Sequence, residues 1–354
     1  MSIFHQQPKE LDFRDNKWGH PEARFAYLPA FDPSQPDPYG YYEDDSMTYE
    51  EKLAAEKVLA DQVNVFGIPD DLDVSLTEYD VPGCPEEPDT PCKARVYTPA
   101  GLKGKRNPVL FEIPGGGMYS VCINDPDCAR WAVKFGCIVV VPIYRTALQG
   151  KYPASVNDCH AVYAWVSDHA DELKADPDNV VLHGSSTGGQ LSASLPFRIM
   201  RYGFSPRGVV SVLPVLDVRC ATESEHMFPG LSNEIEEHKS AVRWMPEGFN
   251  PALVLPEAYA NHASVDDCIG YPPLFMHTTE FDTCRDPAIQ FVQKVEKARS
   301  FAEFHLWGGL SHCNKNFSGE PCPPLDEMNE TIDRNIATCF RCDLRRPWVY
   351  SDEK

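Results

Sequence analysis

The segment Gly184-Ser-Ser-Thr-Gly188 places Ser186 at the centre of a Gly-x-Ser-x-Gly pattern, with Val180-Val-Leu-His183 before it. A serine hydroxyl performs nucleophilic acyl chemistry once a base removes its proton and an acid holds that base in one tautomer. Set between a strand and a helix, the pattern lifts the hydroxyl clear of a sheet, provided the flanking residues are small enough for the sharp turn to close. Gly184 and Gly188 meet that demand, and Gly189 lets the next helix pack closely. Three fixed letters in five arise by chance in roughly one chain in ten. The weight therefore rests on the flanks: an apolar run before the pattern, and a helix-capable run from Gln190 to Met200 after it.

The partners of such a serine follow it in the order acid, then histidine, each just past a strand. Phe275-Met-His-Thr-Thr-Glu-Phe-Asp-Thr-Cys-Arg-Asp286 offers the acid. Asp286 precedes Pro287 and a helical run, so it reads as a helix N-cap with proline at the first position. Asp282 is left for catalysis, with Glu280 second and placed on the strand itself. Of 11 histidines, His183 and His305 fall inside apolar strand patterns, whereas His312 lies on the loop Gly308-Gly-Leu-Ser-His-Cys313. An oxyanion needs N–H donors from the residue after the nucleophile and from a loop after an early strand. Thr187 is the first, and Gly116 and Gly117 in Phe111-Glu-Ile-Pro-Gly-Gly-Gly-Met118 are the second. Met118 and Tyr119, next along that loop, are expected to touch substrate. Cys339-Phe-Arg-Cys342 is a lone C-x-x-C pair, and a zinc site would need a second.

Several elements must position these residues. Thr48-Tyr-Glu-Glu51 has the form of a capping box, opening a helix expected to run to about Phe66. Val74 to Val81 and Lys93 to Tyr97 alternate like an antiparallel pair. Apolar runs then recur with helical patterns between them: Val109 to Ile113, Cys137 to Ile143, Val180 to Leu182, Val209 to Leu213, Leu274 to His277 and Glu303 to Trp307. This alternation implies an α/β fold whose mainly parallel, eight-stranded sheet is covered by helices on both faces. Between Val215 and Cys268 the alternation lapses, as expected of an inserted cap. The expected division is 1–70 contributing to the cap, 71–215 with 269–354 as the core, and 216–268 as the cap insertion.

Four stretches together resemble the hormone-sensitive-lipase-like branch of the α/β-hydrolase family. They are Pro114-Gly-Gly-Gly117, Ile143-Tyr-Arg-Thr-Ala-Leu with Tyr152-Pro-Ala-Ser-Val-Asn-Asp158, Asp176 to Gly189, and Glu280 to Asp286. The resemblance implies an esterase with a helical cap, an acyl-enzyme intermediate and no cofactor, with Asp282 as the catalytic acid. It also implies a homodimer built through the last strand and an adjacent helix. The chain departs from the family at Pro114, which replaces the usual histidine. Ser185 and Thr187 stand where aspartate and alanine are commoner, and Pro196 should break the helix after the nucleophile.

With 354 residues the chain can form one large domain with a subsidiary lobe. A net charge of −21 sets it against nucleic acid and anionic membrane surfaces as partners. No basic region followed by an apolar run opens the sequence, so a cytoplasmic location with mostly reduced cysteines is expected. The expected chemistry is hydrolysis of a small-molecule carboxylic ester by Ser186, His312 and Asp282, with no metal and no cofactor. Two alternatives are an acyl-enzyme catalyst that forms or transfers rather than hydrolyses (a lactonase, acyltransferase or cyclase), and a non-catalytic small-molecule binding protein on the same scaffold.

Overall fold

A computed structural model describes residues 40–227, 242–312 and 321–345. Its strands are β1 Val74–Val81, β2 Cys92–Pro99, β3 Asn107–Ile113, β4 Ile138–Ile143, β5 Ala175–Ser185, β6 Gly208–Val212, β7 Leu274–Phe281 and β8 Ala302–Ser311. The principal helices are α1 Tyr49–Val63, α2 Asp125–Phe135, α3 Ala154–Asp168, α4 Thr187–Ser194, α5 Pro196–Ile199, α6 Arg285–Lys297 and α7 Pro323–Arg341. The strands form one sheet in the order β1-β2-β4-β3-β5-β6-β7-β8. β2 is antiparallel to both β1 and β4, and the remaining neighbours are parallel. The fold is α/β with a mainly parallel eight-stranded sheet, as the strand–helix alternation implied.

The central strands read as unbroken apolar runs because both faces are covered. Val109, Phe111, Val180 and Leu182 pack into a cluster with Val162 of α3, Leu191 of α4 and Phe291 of α6. Their alternate neighbours Leu110, Val139 and Val181 pack on the other face with Ala132 of α2 and Met328 and Ile336 of α7. Single-residue alternation thus assigns each side chain to one of two helical layers.

β3 lies between β4 and β5, so the connection from β3 to β4 runs one way across the sheet and the chain beyond β5 runs the other. That reversal opens a crevice at the carboxyl ends of β3 and β5. Ile113 pairs with Gly184 at that edge. The glycine loop and the serine turn therefore leave the sheet side by side.

Local signals account for most boundaries. Thr48 caps α1: the Glu51 N–H donates to its Oγ1 at 3.2 Å, and the Thr48 N–H donates back to Glu51 Oε2 at 2.7 Å. α1 stops at Val63, short of Phe66, because the Asn64 side chain accepts from the Ile123 N–H (2.7 Å) and draws the chain into an extended path. β5 and β8 are longer than their apolar cores. Pro196 splits the helix after Ser186 into α4 and α5, as expected of a residue with no N–H to donate. Between β6 and β7 the described residues add no strand to the sheet and form short helical turns at Ser224–Met227, Pro251–Leu253 and Ala260–His262, with residues 242–244 helical as well. Residues 228–241 of the expected cap and 1–39 of the N-terminal segment lie outside the described residues.

Candidate active site

Ser186 stands between β5 and α4 with φ 59° and ψ −123°, a conformation that a non-glycine residue holds at a cost of about 1–3 kcal/mol. The surroundings enforce it. The Ser186 N–H donates to Val212 O of β6 (2.9 Å). The turn closes so tightly that a Cβ on Gly188 would come within 1.9 Å of Ile113 O, so glycine is required there. Ser186 Oγ is thereby left facing the end of β8.

His312 follows β8 directly. Its Nε2 is 3.0 Å from Ser186 Oγ, and its Nδ1 is 3.0 and 3.1 Å from the two carboxylate oxygens of Asp282. A carboxylate at Nδ1 selects the tautomer that carries its proton there, which leaves Nε2 as an acceptor for the serine hydroxyl. Asp282 follows β7 and is fully buried, and its Oδ1 also accepts from the Cys284 N–H at 2.9 Å. A buried anion is tolerated only where such donors replace water. The three residues named from sequence thus form one hydrogen-bonded chain across the ends of β5, β7 and β8.

The neighbouring candidates have other duties. Glu280 is on β7, where its carboxylate accepts from the Gly309 N–H (2.7 Å) and braces the approach to His312. Asp286 is not the N-cap expected from sequence. Cys284 occupies that position, and α6 begins at Arg285. Pro287 then sits at the third helical position, which proline tolerates because the first four N–H groups of a helix have no partner within it. The Asp286 carboxylate instead accepts from the Ser224 N–H (2.9 Å) and from Arg285 Nε (2.8 Å), tying α6 to the segment after β6. His183 pairs with Glu112. His305 stacks on His277 at 4.6 Å and bonds Glu303 at 2.7 Å.

The glycine loop after β3 carries Gly116 at φ 133°, where a Cβ would come within 2.1 Å of Ser120 O. Its shape is held by the Tyr119 and Ser120 N–H groups, which donate to Gly116 O (3.0 and 3.1 Å), and by Cys122 N–H donating to Gly115 O (3.0 Å). Beyond the loop itself, Tyr144 donates its hydroxyl to Pro114 O (2.6 Å), and the Ala147 N–H donates to Met118 O (2.8 Å). Tyr144 belongs to one of the family-like stretches, yet sequence reasoning gave it no role. Arg145 next to it binds Asp158 of α3 (2.9 Å) and Glu87 (2.7 Å), fixing the segment after β4 on which the loop rests. The Gly117 N–H points at the elbow and donates to Thr187 Oγ1 at 2.7 Å. Met118 and Tyr119 are both buried. Tyr119 is held by Arg243, whose Nη1 donates to its hydroxyl (2.6 Å) and whose guanidinium stacks on the rings of both Tyr119 and Tyr42.

Among the described residues, two clusters bring three metal-ligating atoms within 4.8 Å: Asp282, Cys284 and His312, and Cys84, Glu86 and His160. In the first, Asp282 and His312 already bond each other. In the second, Glu86 is paired with Arg198 at 3.0 Å, and that cation opposes a metal ion. Cys339 is buried on α7, and burial pushes its thiol up to about 12. Such a group stays protonated, which argues against ligation or redox chemistry at the C-x-x-C pair.

A family described as the alpha/beta hydrolase fold matches residues 112–315. Esterase LipI of Mycobacterium tuberculosis is 26% identical over 254 residues, spanning 66% of this chain and 73% of that protein. A bacterial heroin esterase superposes with a TM-score of 0.73 at 25% identity, covering 86% of this chain and 98% of its own. Brefeldin A esterase, described as a bacterial homologue of human hormone-sensitive lipase, superposes at 0.71 with 22% identity over 90% of this chain and 94% of its own. With the matched span running from β3 through Ser186 and Asp282 to His312, the chain belongs to the α/β-hydrolase fold family, in its hormone-sensitive-lipase-like branch.

Proposed function

We propose that the protein hydrolyses carboxylic esters of a small molecule through an acyl-enzyme on Ser186. The observation that carries this reading is the hydrogen-bonded chain from Ser186 Oγ through His312 (3.0 Å) to Asp282 (3.0 Å), on a serine held in an elbow. Ser186 attacks the ester carbonyl as its proton passes to His312 Nε2. The Thr187 and Gly116 N–H groups are the donors to the carbonyl oxygen as it takes up negative charge, while the Gly117 N–H, expected from sequence to join them, donates to Thr187 Oγ1 at 2.7 Å. His312 returns the proton to the departing alcohol, then removes one from the water that attacks the acyl-enzyme. Asp282 holds the imidazole and stabilises its charged form throughout. The names of similar proteins support the same class, Esterase LipI among them.

The described parts of the N-terminal segment and of 216–268 contribute to the cap in this reading. Tyr42 meets Tyr119 edge-on at 5.8 Å, and Arg243 binds Glu43 at 2.7 Å, so both parts of the chain converge beside the glycine loop. The expected partner is a small ester, with no metal or cofactor required by the mechanism. Hydrolysis of a short 4-nitrophenyl ester tests the proposal: Ser186→Ala should reduce kcat to background, and Ser185→Ala should leave most of it. Equal rates for wild type and Ser186→Ala would overturn it.

A further inference from the structure

Thr187 stands directly after the proposed nucleophile, at the first position of α4, and is almost fully buried. Its backbone N–H belongs to the oxyanion hole of the proposed esterase, and a positioning role for its side chain rests on that function. The side chain does something separate from the backbone. The loop after β3 is tied to itself and to the segment after β4 through the carbonyls of Pro114, Gly115, Gly116 and Met118. Those bonds set the loop's internal shape but not its distance from the elbow. The Gly117 N–H to Thr187 Oγ1 bond, at 2.7 Å, crosses that gap and joins the two donor-bearing segments. A Cβ on Gly115 would lie 2.6 Å from Ser185 O, so the loop backbone presses against the elbow just where this bond anchors it.

We propose that the Thr187 hydroxyl is a positioning group: by accepting from Gly117 it fixes the glycine loop in register with the elbow, so that the Gly116 and Thr187 amides converge on one oxygen. An alanine side chain at this position would have no atom to make the bond. Thr187 thus supplies a restraint to a loop that opens with Pro114, which has no N–H of its own to donate.

Threonine-to-serine, threonine-to-alanine and threonine-to-valine exchanges separate this role from mere packing. Thr187→Ala and Thr187→Val should lower kcat about tenfold or more with KM within about twofold, because donor alignment matters where charge develops. Thr187→Ser, which retains the oxygen, should keep kcat within about threefold of wild type. Alanine and valine variants with wild-type kcat, or with a raised kcat from freeing Gly117, would overturn the proposal. So would a serine variant as impaired as alanine. Ser186→Ala, assayed alongside, distinguishes the two levels. If it is inactive while the Thr187 variants are unaffected, only the positioning role falls. If it is active, the nucleophile assignment falls, and the Thr187 proposal with it.

Discussion

Asp282 and Asp286 are four residues apart and chemically identical, yet their surroundings give them different work. Asp282 is fully buried against His312 Nδ1, whereas Asp286 joins Ser224 to α6. Asp282→Asn should lower kcat by about three to four orders of magnitude, since the amide can leave the imidazole in the wrong tautomer. Asp286→Ala should leave kcat near wild type and cost about 1 kcal/mol of stability for its lost hydrogen bonds. Steady-state rates and denaturation midpoints for both variants check this, and a reversed pattern would move the acid to Asp286. The meeting of Ser186, Asp282 and His312 was legible in the sequence because each follows an apolar run, and the fold puts the ends of such runs together. The role of Asp286 was not legible, because its partner Ser224 is 62 residues away and no periodicity links them. The Thr187–Gly117 bond was hidden for a related reason: it depends on backbone angles in a three-glycine loop, which composition leaves open.

At the scale of elements, α1 is attached to the core by a carboxyl group. Glu56 on α1 is buried, accepts from Thr146 Oγ1 at 2.9 and 3.0 Å, and is pushed up to about 7 by burial. The capping box announced α1, but nothing in its sequence distinguished this glutamate from its exposed neighbours, since burial is decided by the segment after β4. An acid whose pKa is raised on folding binds more protons folded than unfolded between its ordinary value of 4.5 and about 7. Its contribution is therefore fully present below that window and is lost as pH rises through about 7. Glu56→Gln keeps an acceptor for Thr146 and removes the titration. The stability of the variant relative to wild type should therefore increase across the window, approaching about 3 kcal/mol at its upper end. Denaturant unfolding of both proteins at pH 5 and pH 8 measures this, and a difference that does not change with pH would contradict it.

Across the whole molecule, two helical layers close over a sheet whose strand order reverses at β3, and Ser186, His312 and Asp282 meet at the strand ends beside that reversal. Strand–helix alternation made that architecture readable, because buried parallel strands must be apolar on both faces. The segment expected to form a cap was readable only as a lapse in the pattern, since irregular segments take their shape from the surface they cover. Strong net acidity, −21 over the chain, belongs to the surface and bears on partners rather than on catalysis. The assembled site should behave as one reactive hydroxyl among many serines. Treatment with a fluorophosphonate followed by intact-mass and peptide analysis tests this most directly. One adduct per chain, located on Ser186 and absent from Ser186→Ala, is the expected result. An unreactive wild-type protein, or an adduct that persists in Ser186→Ala, would show that Ser186, His312 and Asp282 do not form a working catalytic centre.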